Sequence, residues 1–295
     1  MMIFAPSLLF GAPMVKKGLS FFVFLFFSLL PLGTSRIAVA ADEVLVSAAA
    51  SLTEAFTEMG KAYEAKNPGV AVKFNFAASG QLLQQIAQGA PVDIFASADQ
   101  KTMDTAEEKG LIVSGTRRDF AGNRLVLITP PGSKYVGSLA DIRGLSRIAI
   151  GNPEFVPAGR YVKAMLEKEG IWKDVEKSLI LGVSVRQVLD YVARGEVDAG
   201  FVFATDATLA GDRVVGALEF SPPTPITYPI SVVKGSAKAG LAESFISFVL
   251  SGDGKAILAR YGFVVEGLIP LKKPDSRGVA SIFQSLRRTP STPHS

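Results

Sequence analysis

The chain contains no cysteine, and its one histidine, His294, stands next to the C-terminal Ser295. Without thiols there is no disulfide framework, no lipid-modified cysteine behind a leader, no thiolate metal site and no cysteine nucleophile. A body without histidine has no Ser-His-Asp triad, no imidazole metal ligand and no histidine acid–base chemistry. Long apolar runs are scarce too. One stretch stands out, Phe21 to Leu32, and it is shorter than the roughly 18 to 20 residues of a spanning helix. Basic clusters interleaved with aromatics are missing from the body. The formal charge is +4, but residues 1–40 hold three bases and no acid, and residues 271–295 hold five bases and one acid. The 23 bases and 26 acids left between them give a mildly acidic body, which speaks against nucleic-acid binding.

What is present begins with a leader. Lys16 and Lys17 precede the apolar run, and Ala38-Val39-Ala40 has the small residues of a cleavage site. This predicts a signal peptide over 1–40, export to a periplasm as a non-lipidated protein, and a mature start at Ala41. Met14 is an alternative start, and an uncleaved anchor over residues 19–32 is the alternative to cleavage. The C-terminal residues 271–295 are polar and basic and are expected to be disordered.

With 48% hydrophobic residues, the body is long enough for two medium cores. Short Val/Ile/Leu/Phe runs alternate with amphipathic stretches. Strands are predicted at 43–48, 70–76, 92–97, 124–129, 146–151, 179–183, 197–203, 213–220 and 226–234. Helices are predicted at 51–66, 80–88, 99–109, 138–142, 159–169, 185–194, 205–209, 238–250 and 252–260. This alternation predicts an α/β fold of two lobes, each a mixed, mostly parallel sheet flanked by helices. Asp119 to Arg124 and Ser221-Pro222-Pro223-Thr224-Pro225 are the expected crossings between lobes. They give lobe 1 as 41–120 plus 225–270 and lobe 2 as 121–224, with a ligand cleft between. No internal repeat is evident.

Four strand-to-helix junctions carry the chemistry: Ala50-Ser51, Ala78-Ser79-Gly80, Val156-Pro157-Ala158-Gly159 and Ser184-Val185-Arg186. A helix N-terminus offers unpaired N–H groups and the positive end of a dipole, and serine adds a hydroxyl. Neutral, fixed donors of this kind suit a dehydrated, fully ionised oxyanion. Each serine alone also reads as a plain N-cap, and Ser51-x-x-Glu54 and Ser184-x-x-Gln187 both match a capping box. Glu54 is the acid at these junctions and is expected to serve its box, so an anion carrying a proton finds no acceptor. Arg160 and Arg186 are expected to be solvated, and Asp93 and Asp99 to serve as strand-end or capping residues rather than metal ligands.

At these junctions the chain resembles the periplasmic molybdate-binding proteins of ABC importers. The resemblance rests on Ala48-Ala49-Ala50-Ser51-Leu52-Thr53, Phe76-Ala77-Ala78-Ser79-Gly80-Gln81-Leu82 and the stretch from Gly89 to Asp99. It continues through Gly151 to Gly159 and ends on Arg260-Tyr261-Gly262-Phe263, in family order. It implies a type II periplasmic binding protein that closes two lobes over its ligand. Family contacts map to Ser51 and Ser79 through hydroxyl and N–H, and to Ala158 and Val185 through N–H. All are contacts to oxyanion oxygens and not direct metal ligands. Phe203 stands where many members have a tyrosine, so one hydroxyl is missing, with Thr205 or Ser184 as candidates to replace it. The resemblance implies capture of molybdate, and of tungstate by similarity of size and charge, by a monomer that hands it to a membrane permease. The ligand is cargo, no cofactor is implied, and no catalysis occurs. A binding protein for another tetrahedral oxyanion such as sulfate, an enzyme acting on a phosphate or sulfate ester, and a tethered sensor are the rival readings.

Overall fold

The computed structural model describes residues 42–133 and 136–265; the leader, the expected start at Ala41, the basic tail and His294 lie outside the described residues. The chain enters through β1 (Asp42–Ala49), whose alternate residues Val44, Val46 and Ala48 are fully buried. A 310 turn (Ala50–Leu52) leads into α1 (Thr53–Lys66), which turns Phe56, Met59 and Tyr63 inward at helical spacing. Then follow β2 (Val70–Ala77), α2 (Ser79–Ala87), β3 (Ile94–Ala96), α3 (Gln100–Glu108) and β4 (Arg118–Asn123). Only Arg124 separates β4 from β5 (Leu125–Thr129), which belongs to a second sheet. That sheet is built by β6 (Ile148–Gly151), α4 (Pro157–Lys168), α5 (Trp172–Val175), β7 (Leu179–Gly182), α6 (Val185–Ala193), β8 (Ala199–Phe203), α7 (Ala204–Ala210) and β9 (Val215–Phe220). The chain returns through Ser221-Pro222-Pro223-Thr224-Pro225 to β10 (Ile226–Val232), α8 (Ala239–Leu250) and α9 (Gly252–Arg260).

The two sheets share one plan. Their strand orders are β2-β1-β3-β10-β4 and β7-β6-β8-β5-β9. In each, three strands pair in parallel, a fourth runs against them, and the fifth is antiparallel to the fourth. The mostly parallel direction forces helical crossovers, and these place helix starts at the carboxyl ends of β1, β2, β6, β7 and β8. In open α/β sheets that edge is where ligands bind. The core of the first sheet shows why the chain must return. Phe56 of α1 meets Phe74 of β2, Phe120 of β4 and Phe245 of α8, with ring centroids 5.6–6.3 Å apart. The late helix α8 therefore fills a core begun by the first helix.

Three local features add to the expectations. The stretch Asp119 to Arg124, read as a crossing, is mostly edge strand: β4 pairs with β10 through Asn123, and Arg124 alone then leads to β5 in the second sheet. Residues 172–175 form a short helix that was not predicted; its four residues are too few to show a period. Pro229 sits inside β10, where a bulge between Tyr228 and Pro229 absorbs the missing N–H. Pro157 does occupy the first turn of α4, where a lost N–H costs nothing. Gly159 in the same helix is required by packing, since a Cβ there would lie 1.8 Å from the Gly151 carbonyl oxygen.

Candidate oxyanion site at the junction of the two sheets

Ser51, Ser79, Ala158, Val185 and Phe203, drawn from both sheets, line one small cavity together with Ala49, Ala50, Ala77, Ala78, Ala98, Val156 and Pro157. The space open to the centre of a water-sized sphere is about 10 Å³, room for one compact molecule. No charged side chain lies among these lining residues. Half of the lining residues are alanines, whose small side chains let backbone come close. Ser79 and Val185 are the first residues of α2 and α6, and Ala158 is the second of α4. Their N–H groups have no acceptor within their own helices. A larger groove of about 640 Å³ runs along β4 and the 220–227 crossing but contains none of the five residues.

The sheets meet in a closed arrangement. Gly80 N–H donates to the Phe155 carbonyl at 3.0 Å. Arg160 Nε donates to Asp99 Oδ2 at 2.7 Å, and Arg160 Nη2 to Thr102 Oγ1 at 2.7 Å. Arg186 Nη2 lies 2.6 Å from Glu54 Oε2, and its Nε lies 2.8 Å from Asp206 Oδ1. Both arginines, expected in solvent, are therefore half-buried bridges between the sheets. Only Asp206 shares a lobe with Arg186. Asp206 is fully buried, and that burial pushes its carboxyl up to about 6, against the pull of Arg186 and of the Phe203 N–H.

Several roles read from the sequence are corrected here. Ser51 does not cap α1. Its Oγ lies 3.0 Å from the Tyr228 hydroxyl, because the 310 turn displaces the helix start to Thr53. Glu54 serves no capping box and pairs with Arg186 instead. Ser184 does cap α6, accepting from Gln187 N at 3.2 Å, but the Gln187 side chain takes the Val183 N–H rather than that of Ser184. Thr205 accepts from Asn123, 82 positions away, Ser184 accepts locally from Gln187 N, and neither lines the cavity. Asp93 and Asp99 act as expected: Asp93 accepts from Leu45 N and Ser236 Oγ, and Asp99 caps α3 through Thr102 N. Among the described residues no acidic or histidine cluster has the arrangement of a metal site.

Sequence reasoning missed three residues around the cavity. Tyr228 is fully buried and its hydroxyl bonds Ser51 and Asn123. Its burial raises the phenol well above its usual range. Asn123 and Asp206 complete the set. The available signals were faint: a tyrosine before a proline inside an apolar strand, an asparagine at a strand end, and an aspartate in a first helical turn.

A closed pair of α/β lobes around a small, donor-lined cavity defines a solute-binding protein. The chain belongs to the bacterial extracellular solute-binding proteins, whose family model matches residues 44–264. It is 37% identical over 235 residues to the molybdate-binding protein ModA of Haemophilus influenzae, covering 76% of this chain and 91% of that one. It is 36% identical over 236 residues to ModA of Escherichia coli K12, covering 77% and 91%. The solved periplasmic molybdate-binding protein of Azotobacter vinelandii superposes with a TM-score of 0.67 at 26% identity, covering 75% of this chain and 99% of that one. The sulfate-binding protein SubI of Mycobacterium tuberculosis superposes with the same TM-score of 0.67 at 18% identity, a likeness of fold alone. The protein is thus a binding component of ABC import and not an enzyme, and its ligand is transported rather than retained as a cofactor. No helix among the described residues is long and apolar enough to cross a membrane.

Proposed function

We propose that this protein captures molybdate, and tungstate with it, and delivers the anion to the membrane permease of an ABC importer. The observation that carries the reading is the single cavity lined by Ser51, Ser79, Ala158, Val185 and Phe203. Two hydroxyls and several first-turn N–H groups compensate a dianion without any full positive charge at the wall. The printed ligand of the relatives from Haemophilus, Escherichia and Azotobacter supports the same choice. Sulfate is smaller and leaves the donors too far away. Phe203 supplies no hydroxyl, so the site works with one side-chain donor fewer than the family pattern.

Delivery requires that the two lobes open and close, and we assign 41–120 with 225–270 to one lobe and 121–224 to the other. We further propose export through a cleaved leader, without lipid attachment, as a free monomer in a periplasm. Isothermal titration with molybdate, tungstate, sulfate and phosphate in parallel tests the ligand. One-to-one binding of the first two and silence from the others is the expected outcome. Preference for sulfate or phosphate, or no binding, overturns the ligand assignment.

A further inference from the structure

We propose that Tyr228 and Asn123 are positioning residues that turn the Ser51 hydroxyl hydrogen into the cavity, making Ser51 an obligate donor that favours fully ionised oxyanions over protonated ones. This rests on the oxyanion reading above and concerns residues outside the cavity wall.

The argument is an accounting of hydrogens. Arg124 N–H donates to Asn123 Oδ1 at 2.8 Å, and only a carbonyl oxygen can receive it, so the orientation of the Asn123 amide is set. Asn123 Nδ2 then faces Thr205 Oγ1 at 3.0 Å and Tyr228 Oη at 3.1 Å, and must donate to both. Tyr228 Oη has accepted one hydrogen and has its own to place. Among the described residues its remaining partner is Ser51 Oγ at 3.0 Å. Were Ser51 the donor in that pair, the fully buried Tyr228 would keep an unpaired hydrogen and carry the whole cost of its desolvation. Tyr228 therefore donates, Ser51 accepts, and the Ser51 hydrogen is left for the cavity. Burial keeps Tyr228 neutral through physiological pH, so the relay always holds its proton.

The other serine is wired to the same end by different means. Ala98 N–H donates to Ser79 Oγ at 3.0 Å, and a backbone amide cannot reverse. Both hydroxyl oxygens are thus occupied from behind and both hydrogens are free. At each corner a protonated oxygen of an oxyanion meets a hydroxyl hydrogen turned toward it and an oxygen already accepting from behind.

The test is a double-mutant cycle in the full-length protein, using Tyr228→Phe, Ser51→Ala and the pair, titrated with molybdate and with hydrogen phosphate, with melting temperatures recorded alongside. Tyr228→Phe is expected to weaken molybdate binding about tenfold in the wild-type background and to add little to Ser51→Ala. Hydrogen phosphate, silent with the wild type, should become a detectable ligand of Tyr228→Phe, because a Ser51 hydroxyl released from Tyr228 can turn its oxygen toward a protonated ligand. Asn123→Ala gives a second route to the same loss with the ring of Tyr228 in place. Equal losses in both backgrounds, or phosphate still silent with Tyr228→Phe, reduce Tyr228 to packing and overturn the relay. A wild-type protein that binds no tetrahedral oxyanion overturns the ligand reading and the relay together, and is recognised before any variant is made.

Discussion

The two serine corners of the cavity present the same hydroxyl chemistry on different supports. Ser79 is held by a backbone N–H from the end of β3. Ser51 is held by side chains reaching from β10 and β4. A backbone support comes with the sheet register and is unaffected by substitution of the residue that supplies it. A side-chain support depends on two separate residues, Tyr228 and Asn123, and its neighbourhood carries the buried Arg186–Asp206 pair as well. The comparison teaches that the Ser79 corner is fixed by topology, whereas the Ser51 corner can be retuned one residue at a time.

The largest way to separate the corners is through Asp206, which lies beside the Ser51 corner. Its carboxyl is raised from 3.8 to about 6, so the folded chain holds this proton more tightly than the unfolded chain. Wild-type stability should therefore fall as pH rises from about 4 to about 6, relative to Asp206→Asn, by about 3 kcal/mol in all. Urea unfolding of both proteins across that range measures it; a constant difference would show that Asp206 does not titrate there.

Removing the hydroxyls sharpens the comparison. Ser51→Ala and Ser79→Ala should each weaken molybdate binding by about 1.5–3 kcal/mol. Each should also cost about 1–3 kcal/mol of stability, because Ser79→Ala leaves the buried Ala98 N–H, and Ser51→Ala the buried Tyr228 O–H, without an acceptor. A melting temperature unchanged from wild type in either variant would contradict the support assigned to that corner.

A smaller effect belongs to closure at the Ser79 side. Arg160 bridges to Asp99 and Thr102 across the cleft, with side chains 15% and 5% exposed in the ion pair. Arg160→Ala should reduce molybdate affinity by about 1–2 kcal/mol through a less favourable closed state. Titration that gives wild-type affinity would remove Arg160 from closure. The smallest effect is expected at Phe203, which lines the cavity and packs on Tyr228 with ring centroids 5.9 Å apart. Phe203→Tyr should leave affinity unchanged or improve it slightly; a large loss in the same titration would mean that the ring is held by packing alone.

Much of the fold was legible because strands and helices alternate with clear periods, and because glycines such as Gly170 and Gly195, with φ of +68° and +69°, stop α4 and α6. The five cavity residues were legible because each begins or adjoins a helix after an apolar strand, or sits where the family resemblance places a contact. What was not legible depends on distance in space. A capping box at Ser51-x-x-Glu54 is a sound local reading, yet a 310 turn shifts the helix start and gives each residue a partner more than 130 positions away. Tyr228 lies 177 positions from Ser51, and nothing in its own neighbourhood announces the contact. Arg160 and Arg186 were misjudged for the same reason, since closure of the lobes creates their partners.

The most direct test of the account is a crystal structure with molybdate bound, with the metal located by its anomalous scattering. The account predicts molybdenum at the centre of the cavity, its oxygens within hydrogen-bonding distance of Ser51 Oγ, Ser79 Oγ, Ala158 N and Val185 N. Molybdenum beside Arg160 in the 320 Å³ pocket lined by Gly80, Lys101 and Phe155, or in the groove along β4, would contradict it.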